Sequence, residues 1–343
     1  MYTFKNTEIN NKKASDFETK SLLYLLSMKK HGNEIEYITV DCFNDVTASN
    51  EDFTKLWDVQ SKNHKSLPPS KIGESLFTLY DNYISHIHFV EYILFIPKLE
   101  RTYLIDDTLN IYKYNNINEK QKKGIEKKLK AEIVRVLKDN AETPLLFQDF
   151  LNNVIFVEDN QYISTYIKKV VQFKNKRIFS NKFYESIFEE IRNKQSVLKN
   201  SYIENKTITH PKDVLAFNRH ITKKEINTFL INRFVGVDIF SNKGIPVEFL
   251  QLISHNDKET IKDLIQEYNE NLSRAFFNKN DGGNFWKLSE FIILAIKKNP
   301  KNDMFMIYDI FLESSIKIKS TYLTKNTILY MIALVMEGLD NDN

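Results

Sequence analysis

The sequence predicts an α/β domain followed by an all-α domain. Apolar, β-branched runs alternate with amphipathic stretches as far as about residue 165. Beyond about residue 175 helical periodicity continues without convincing strands. The length, 343 residues, suits about two domains at ~150 residues each. A boundary is therefore expected at 165–180, giving residues 1–170 and 171–343. No Gly/Pro/Ser linker marks it, and no fixed-period repeat or low-complexity segment interrupts either half.

ASDFETKSLLYLLSMKKHG (14–32) reads as a helix. Ser15 and Glu18 have capping-box spacing, four leucines from Leu22 to Leu26 form the apolar side, and Gly32 stops it. EIEYITVDCFNDV (34–46) is β-branched and aromatic and reads as one strand. The polar TASNED turns the chain into a second strand at 55–62. Pro68-Pro69 breaks it, and Ser70 opens a helix to about Ser85. HFVEYILFIP (88–97) is nearly all apolar, which predicts a central strand. Residues 118–138 predict an amphipathic helix with a solvated basic face, 153–159 a strand, and 162–173 a helix. Helical periodicity then marks 181–199, 223–235, 258–275, 285–298, 303–318 and 325–338.

Composition removes several functions. Hydrophobic residues at 42% and aromatics at 13% allow a sizeable core. The balance of 48 basic against 45 acidic residues gives only +3, so a nucleic-acid footprint needs local clustering. The single cysteine, Cys42, rules out a disulfide within the chain and a cysteine-built zinc site. A reducing, cytoplasmic setting is expected. The start, MYTFKNTEINNKK, has no apolar core of a signal peptide. The apolar run TILYMIALVM (327–336) has ten residues, against ~20 needed to span a bilayer, so no membrane is expected as a partner. No phosphate-binding glycine loop and no Gly-x-Ser-x-Gly element is present.

The chemistry centres on KLWDVQSKNHK (55–65). A strand alternates faces, so Asp58, Gln60 and Lys62 point the same way. Metal-dependent phosphodiester hydrolysis needs oxygen ligands for a hard cation and a positive group near the phosphate. Asp45 at the end of the first strand, with Gln60 and Lys62 on the next, supplies that set. Glu18 on the first helix adds a carboxylate, and Asp41, with the parity of Asp45, is the fallback ligand. Asp58 lies further from the strand end and reads as a supporting or solvated carboxylate. His86 and His88 lack a third ligand nearby and read as structural.

This arrangement resembles the PD-(D/E)xK nuclease superfamily. More closely, it resembles the double-stranded-DNA endonuclease domain of prokaryotic antiphage effectors of the CBASS and Lamassu types. In that group the last motif is often Gln-x-Lys, here Gln60-Ser61-Lys62, and the acidic motif is Glu-Asp before a β-branched residue, here Asn44-Asp45-Val46. Asn44 departs from the usual acid and lowers the ligand charge. The resemblance covers residues 14–100, extending towards 165. It implies a restriction-endonuclease-like mixed sheet flanked by helices. It implies Mg²⁺ (or Mn²⁺) at Asp45 and Gln60, with Glu18 or Asp41 assisting, and Lys62 as the catalytic lysine. It also implies double-stranded DNA as substrate and defence-complex subunits as partners.

Residues 168–184 carry Lys168, Lys169, Lys174, Lys176, Arg177 and Lys182 with no acid between them, interleaved with Phe173 and Phe179. Such a cluster suits phosphate neutralisation, as do His64 and Lys65 just past the motif. The alternative for each is a solvated face. The helical half is expected to bind an SMC-like ATPase and an accessory protein, or to form a homo-oligomer on activation. Its all-helical pattern favours the Lamassu-like setting, because the CBASS sensor domain is α/β. The alternatives are a catalytically silent DNA-binding or scaffolding subunit, a CBASS-type effector, or a ribonuclease.

Overall fold

The computed structural model describes residues 1–4, 16–27, 32–64, 66–138, 144–241 and 244–341. In chain order the elements begin with β1 (Tyr2–Thr3), α1 (Asp16–Ser27), β2 (Tyr37–Val40), β3 (Val46–Ser49), β4 (Leu56–Ser61), α2 (Pro69–Tyr83) and β5 (Glu91–Pro97). They continue with β6 (Ile111–Lys113), α3 (Glu119–Leu137), α4 (Pro144–Asn153), β7 (Val154–Asp159), α5 (Ile163–Val170) and α6 (Asn181–Leu198). After β8 (Thr207–Ile208) and β9 (His220–Thr222) come α7 (Lys223–Val235), α8 (Val247–Ile253), α9 (Lys258–Phe277), α10 (Gly282–Lys298), α11 (Met304–Glu313) and α12 (Lys325–Asn341).

Seven strands form one mixed sheet in the order β6-β7-β5-β4-β3-β2-β9. β2, β3 and β4 run as an antiparallel meander, and α2 then carries the chain across to β5, parallel to β4. β7 extends the parallel part. β5 is central and apolar because both its faces are covered. On one face Leu94 and Ile96 join a core with α2, α3 and α4. On the other, Phe95 meets Phe17 and Tyr24 of α1, with centroids 5.6 and 5.9 Å away. Leu22, Leu23 and Leu25 of α1 are fully buried, each side chain contributing ~1.5–3 kcal/mol. Gly73 of α2 permits the close approach of α3: a Cβ there would lie 2.4 Å from the Ile125 carbonyl oxygen.

The α/β region followed by a helical region is thus present, but the compact units do not follow a single cut at residue 170. One unit comprises Met1–Val170 and Phe188–Lys223; the other comprises Val171–Ile187 and Lys224–Asn343. The returning segment is tied to the first unit by side chains. Thr19 donates to Gln195 at 2.8 Å and Arg192 pairs with Asp16 at 2.7 Å. It also adds two strands in a region expected to have none: β8 pairs with β1, and β9 extends the sheet beside β2. At two and three residues, neither is long enough to show a period.

The second unit is built from α7 to α12 with the chain before Phe188. Phe173, expected beside DNA, is buried there against Phe234 and Trp286 at 5.1 and 5.4 Å. α8 has no counterpart among the expected helices, and neither does α4 in the first unit. In the first unit, the expected strand 34–46 is two strands, closing as a hairpin after Val40. Its loop holds Asp41 at φ 49, a left-handed conformation that aspartate tolerates. The expected turn TASNED falls partly in β3. The turn comes later, where the Asn50 side chain accepts from the Lys55 backbone N–H at 2.9 Å.

Candidate active site

The hairpin loop 41–45 is held by β4. Val46 lies opposite Val59 and Thr47 opposite Asp58, so Asp45 arrives beside Gln60. Asp45 therefore precedes β3 instead of ending the first strand, and Asp41 opens the loop instead of sharing a strand face. The Oδ2 of Asp45 accepts from Gln60 Nε2 at 2.6 Å, the Ser61 backbone N–H at 2.8 Å and the Ser61 hydroxyl at 3.0 Å. Gln60 Oε1 in turn accepts from Thr78 of α2 at 2.6 Å. Lys62 follows, half-buried, its backbone N–H donating to the Phe95 carbonyl at 3.0 Å. Among the described residues its ammonium has no ion-pair partner. His64 is exposed and Lys65 lies outside the described residues.

Asp58 is neither solvated nor peripheral. It is fully buried and accepts from Asn44 at 2.6 Å, Asn82 at 2.7 Å and Thr47 at 3.2 Å. Asn82 also donates to the Phe43 carbonyl at 3.1 Å and accepts from Tyr2 at 2.8 Å. Burial pushes the Asp58 carboxyl up to about 7, although the three donors favour its charge. Asn44, the departure from the usual acid, thus serves as a donor to Asp58. The network fixes loop 41–45 from below.

The acids above the loop gather on a cation that the sequence did not flag. Lys199, just past α6, places its ammonium 2.6 Å from Glu18 Oε2 and 3.0 Å from Asp41 Oδ2, with its side chain only 4% exposed. Arg219 fixes the arrangement by donating to the carbonyls of Asp41 at 2.8 Å and Lys199 at 2.9 Å. Burial raises the Glu18 carboxyl to about 7; Lys199 opposes the shift and Asp45 and Asp41 add to it. Asp41 is raised by burial too, against the pull of Lys199. Burial disfavours the Lys199 ammonium, but Asp41 and Glu18 outweigh it and hold it above the ordinary lysine range. Ser15, the expected capping partner of Glu18, lies outside the described residues.

By residue type, the donors would suit Mg²⁺ or Mn²⁺. Glu18, Asp41, Asp45 and Gln60 offer oxygen only, as hard cations require. Among the described residues no three His, Cys, Asp or Glu already stand in a metal-holding group. The cation places are taken internally: Lys199 faces Glu18 and Asp41, and the Gln60 amide faces Asp45. Turning that amide over would present Oε1 to a metal and its N–H to Thr78, whose hydroxyl accepts as readily as it donates.

The basic cluster divides between the two units. Lys168 and Lys169 end α5 in the first. In the second, Lys174, Arg177 and Lys182 are exposed, while Lys176 donates to the Val171 carbonyl at 2.8 Å. The loop is anchored by buried Glu290, which accepts from the backbone N–H of Lys174 at 2.8 Å and of Asn175 at 2.6 Å. Phe179 stacks on Phe183 at 4.5 Å beneath Lys297, so neither expected aromatic is poised as an open platform for a base. His86 and His88 are exposed before β5, in no metal-holding group among the described residues.

No protein-family model matches the sequence. No curated protein matches it either. Among solved structures, it is similar to the Acinetobacter baumannii Cap4 SAVED/CARF-domain containing receptor with the cyclic trinucleotide 2'3'3'-cAAA. The match has a TM-score of 0.36 at 11% identity, over 83% of this chain and 64% of that one. A likeness that slight carries no function across. No helix among the described residues is long and apolar enough to cross a membrane.

Proposed function

We propose that the chain is a metal-dependent endonuclease acting on double-stranded DNA, the effector subunit of a bacterial antiphage complex. The observation that carries this reading is the contact between Asp45 and Gln60, with Lys62 following at the open end of β4. Asp45, with Glu18 and Asp41, would hold Mg²⁺ or Mn²⁺, and Gln60 would complete the set. A bound divalent cation supplies Lewis-acid polarisation of the phosphate. Lys62 orients the attacking water and offsets negative charge as it grows on the scissile phosphate. The exposed basic residues Lys174, Arg177 and Lys182 suit phosphate contacts. The helical unit favours a Lamassu-like setting, in which it docks an SMC-like ATPase and an accessory subunit.

A second reading has its own observation. Lys199 and the Gln60 amide already satisfy the acids, as a catalytically silent DNA-binding or scaffolding subunit would require. The deciding experiment incubates the protein, alone and with the products of neighbouring genes, with plasmid and Mg²⁺. Lys62→Ala and Asp45→Ala run alongside. Cleavage lost in both variants supports the site. Cleavage that survives both refutes it, and no cleavage under any partner condition supports the silent subunit. An RNA substrate run in parallel separates deoxyribonuclease from ribonuclease.

A further inference from the structure

Lys199 occupies the position between Glu18 and Asp41 that a cation held by both would need. Its ammonium is 2.6 Å from Glu18 and 3.0 Å from Asp41, on the same oxygens that would bind a cation. This is a built feature and no stray surface pair. The side chain is 4% exposed, and Arg219, itself 3% exposed, ties the Lys199 and Asp41 backbones together through one guanidinium. Arg219 also donates to the Ser201 carbonyl at 2.8 Å, and its own carbonyl accepts from the Val40 N–H at 2.9 Å. Lysine is suited to a removable occupant. It is a compact point charge on a flexible stem, without the fork that locks arginine onto a carboxylate.

We infer that Lys199 is an internal counter-ion that keeps the acid cluster closed, and that a divalent cation binds only by displacing its ammonium from Glu18 and Asp41. The inference rests on the reading of Glu18, Asp41 and Asp45 as metal ligands. An occupant tethered to the same chain competes at every metal concentration. Apparent affinity is therefore reduced by the fraction of molecules in which Lys199 is withdrawn. The 188–223 segment, which supplies both Lys199 and Arg219, becomes the part of the chain that sets whether the site is loaded. A nuclease of unrestrained activity would be toxic, and a lysine latch of this kind gives the resting protein a low affinity for its metal.

The test is a titration of the full chain with Mn²⁺ alone, read by the electron paramagnetic resonance of the free ion. Wild type is compared with Lys199→Met, Lys199→Gln and Lys199→Met/Asp45→Ala, each checked for folding by circular dichroism. The expected result is that either single variant lowers the Mn²⁺ Kd about tenfold or more, and that adding Asp45→Ala removes the gain. An unchanged or raised Kd in a folded single variant overturns the latch, while binding in wild type that Lys199→Met/Asp45→Ala loses leaves the metal reading standing. Binding by none of the proteins overturns both. Should neither single variant fold, wild type alone decides by amide exchange. Mn²⁺ should speed exchange at residues 199–201 as the latch withdraws. Unchanged or slower exchange there overturns the inference.

Discussion

Replacing Asp58 by asparagine should remove a pH-dependent weakness from the first unit. The wild-type carboxyl is fully buried, faces two carboxamides and a hydroxyl, and is raised from 3.8 to about 7, chiefly by burial. In the unfolded chain the same group ionises near its ordinary value. Between about pH 4 and 7 the folded state therefore holds a proton that the unfolded state has lost, so stability falls as pH rises through that window and levels off above it. A rise from 3.8 to about 7, at about 1.36 kcal/mol for each tenfold change in proton affinity, gives a ceiling of about 4 kcal/mol. Relaxation of the site reduces this, and about 2 kcal/mol corresponds to about 4–8 °C in Tm for a unit of this size.

Asparagine keeps an oxygen for Asn44 and Asn82 and turns its amide to the Thr47 hydroxyl, mimicking the protonated acid. Asp58→Asn should come nearest to wild type at the acid end of the range and exceed it by a margin that grows up to about pH 7 and then holds. Asp58→Ala should be less stable at every pH, because it leaves two buried amides unsatisfied at about 1–3 kcal/mol each. Thermal melts from pH 4.5 to 8.5 decide. Parallel wild-type and Asp58→Asn curves across that range would show that Asp58 carries no such titration, and would refute the reasoning.

Three further perturbations probe other parts of the molecule. Gly73→Ala should cost about 1–3 kcal/mol in denaturant melts, because its Cβ would press on the Ile125 carbonyl of α3. Glu290→Ala should lower the melting temperature of the second unit by removing two part-buried hydrogen bonds, from the Lys174 and Asn175 amides to a charged acceptor, at up to about 1.5–3 kcal/mol each. Lys174→Glu with Arg177→Glu should weaken double-stranded-DNA binding and flatten its salt dependence, with Lys176 left intact because it bonds the Val171 carbonyl. Unchanged filter binding from 50 to 200 mM salt, a window in which ~6–10 phosphate contacts change affinity markedly, would make those charges a solvated face.

Long, strongly patterned elements were legible in the sequence. Strand 88–97 and helix 118–138 lie where their apolar pattern puts them, because burial and amphipathic period act within one segment. The hairpin inside 34–46 was not legible. Its loop contains no glycine or proline, and its left-handed residue is Asp41. Lys199 and Arg219 were invisible for a different reason: neither sits in a motif, and both reach the site through the return of residues 188–223 to the first unit.

The polar row on β4 shows how a helix can divide a strand. Thr78 and Asn82 of α2 meet Gln60 and Asp58 respectively. Four residues of helix rise ~6 Å and two residues of strand ~6.6 Å, so the two polar spacings match across the interface. That match turns Asp58 and Gln60 into anchors: one holds Asn44 and the other Asp45, at the two ends of a two-residue step in the loop. Lys62 lies one step beyond, half-buried, with no ion-pair partner among the described residues. Three side chains that look equivalent on the strand are thus separated into two positioning groups and one group placed to act. The signal for it was the pair Thr78 and Asn82, polar residues four apart on a helix that otherwise buries Ile72, Leu76, Leu79 and Tyr80.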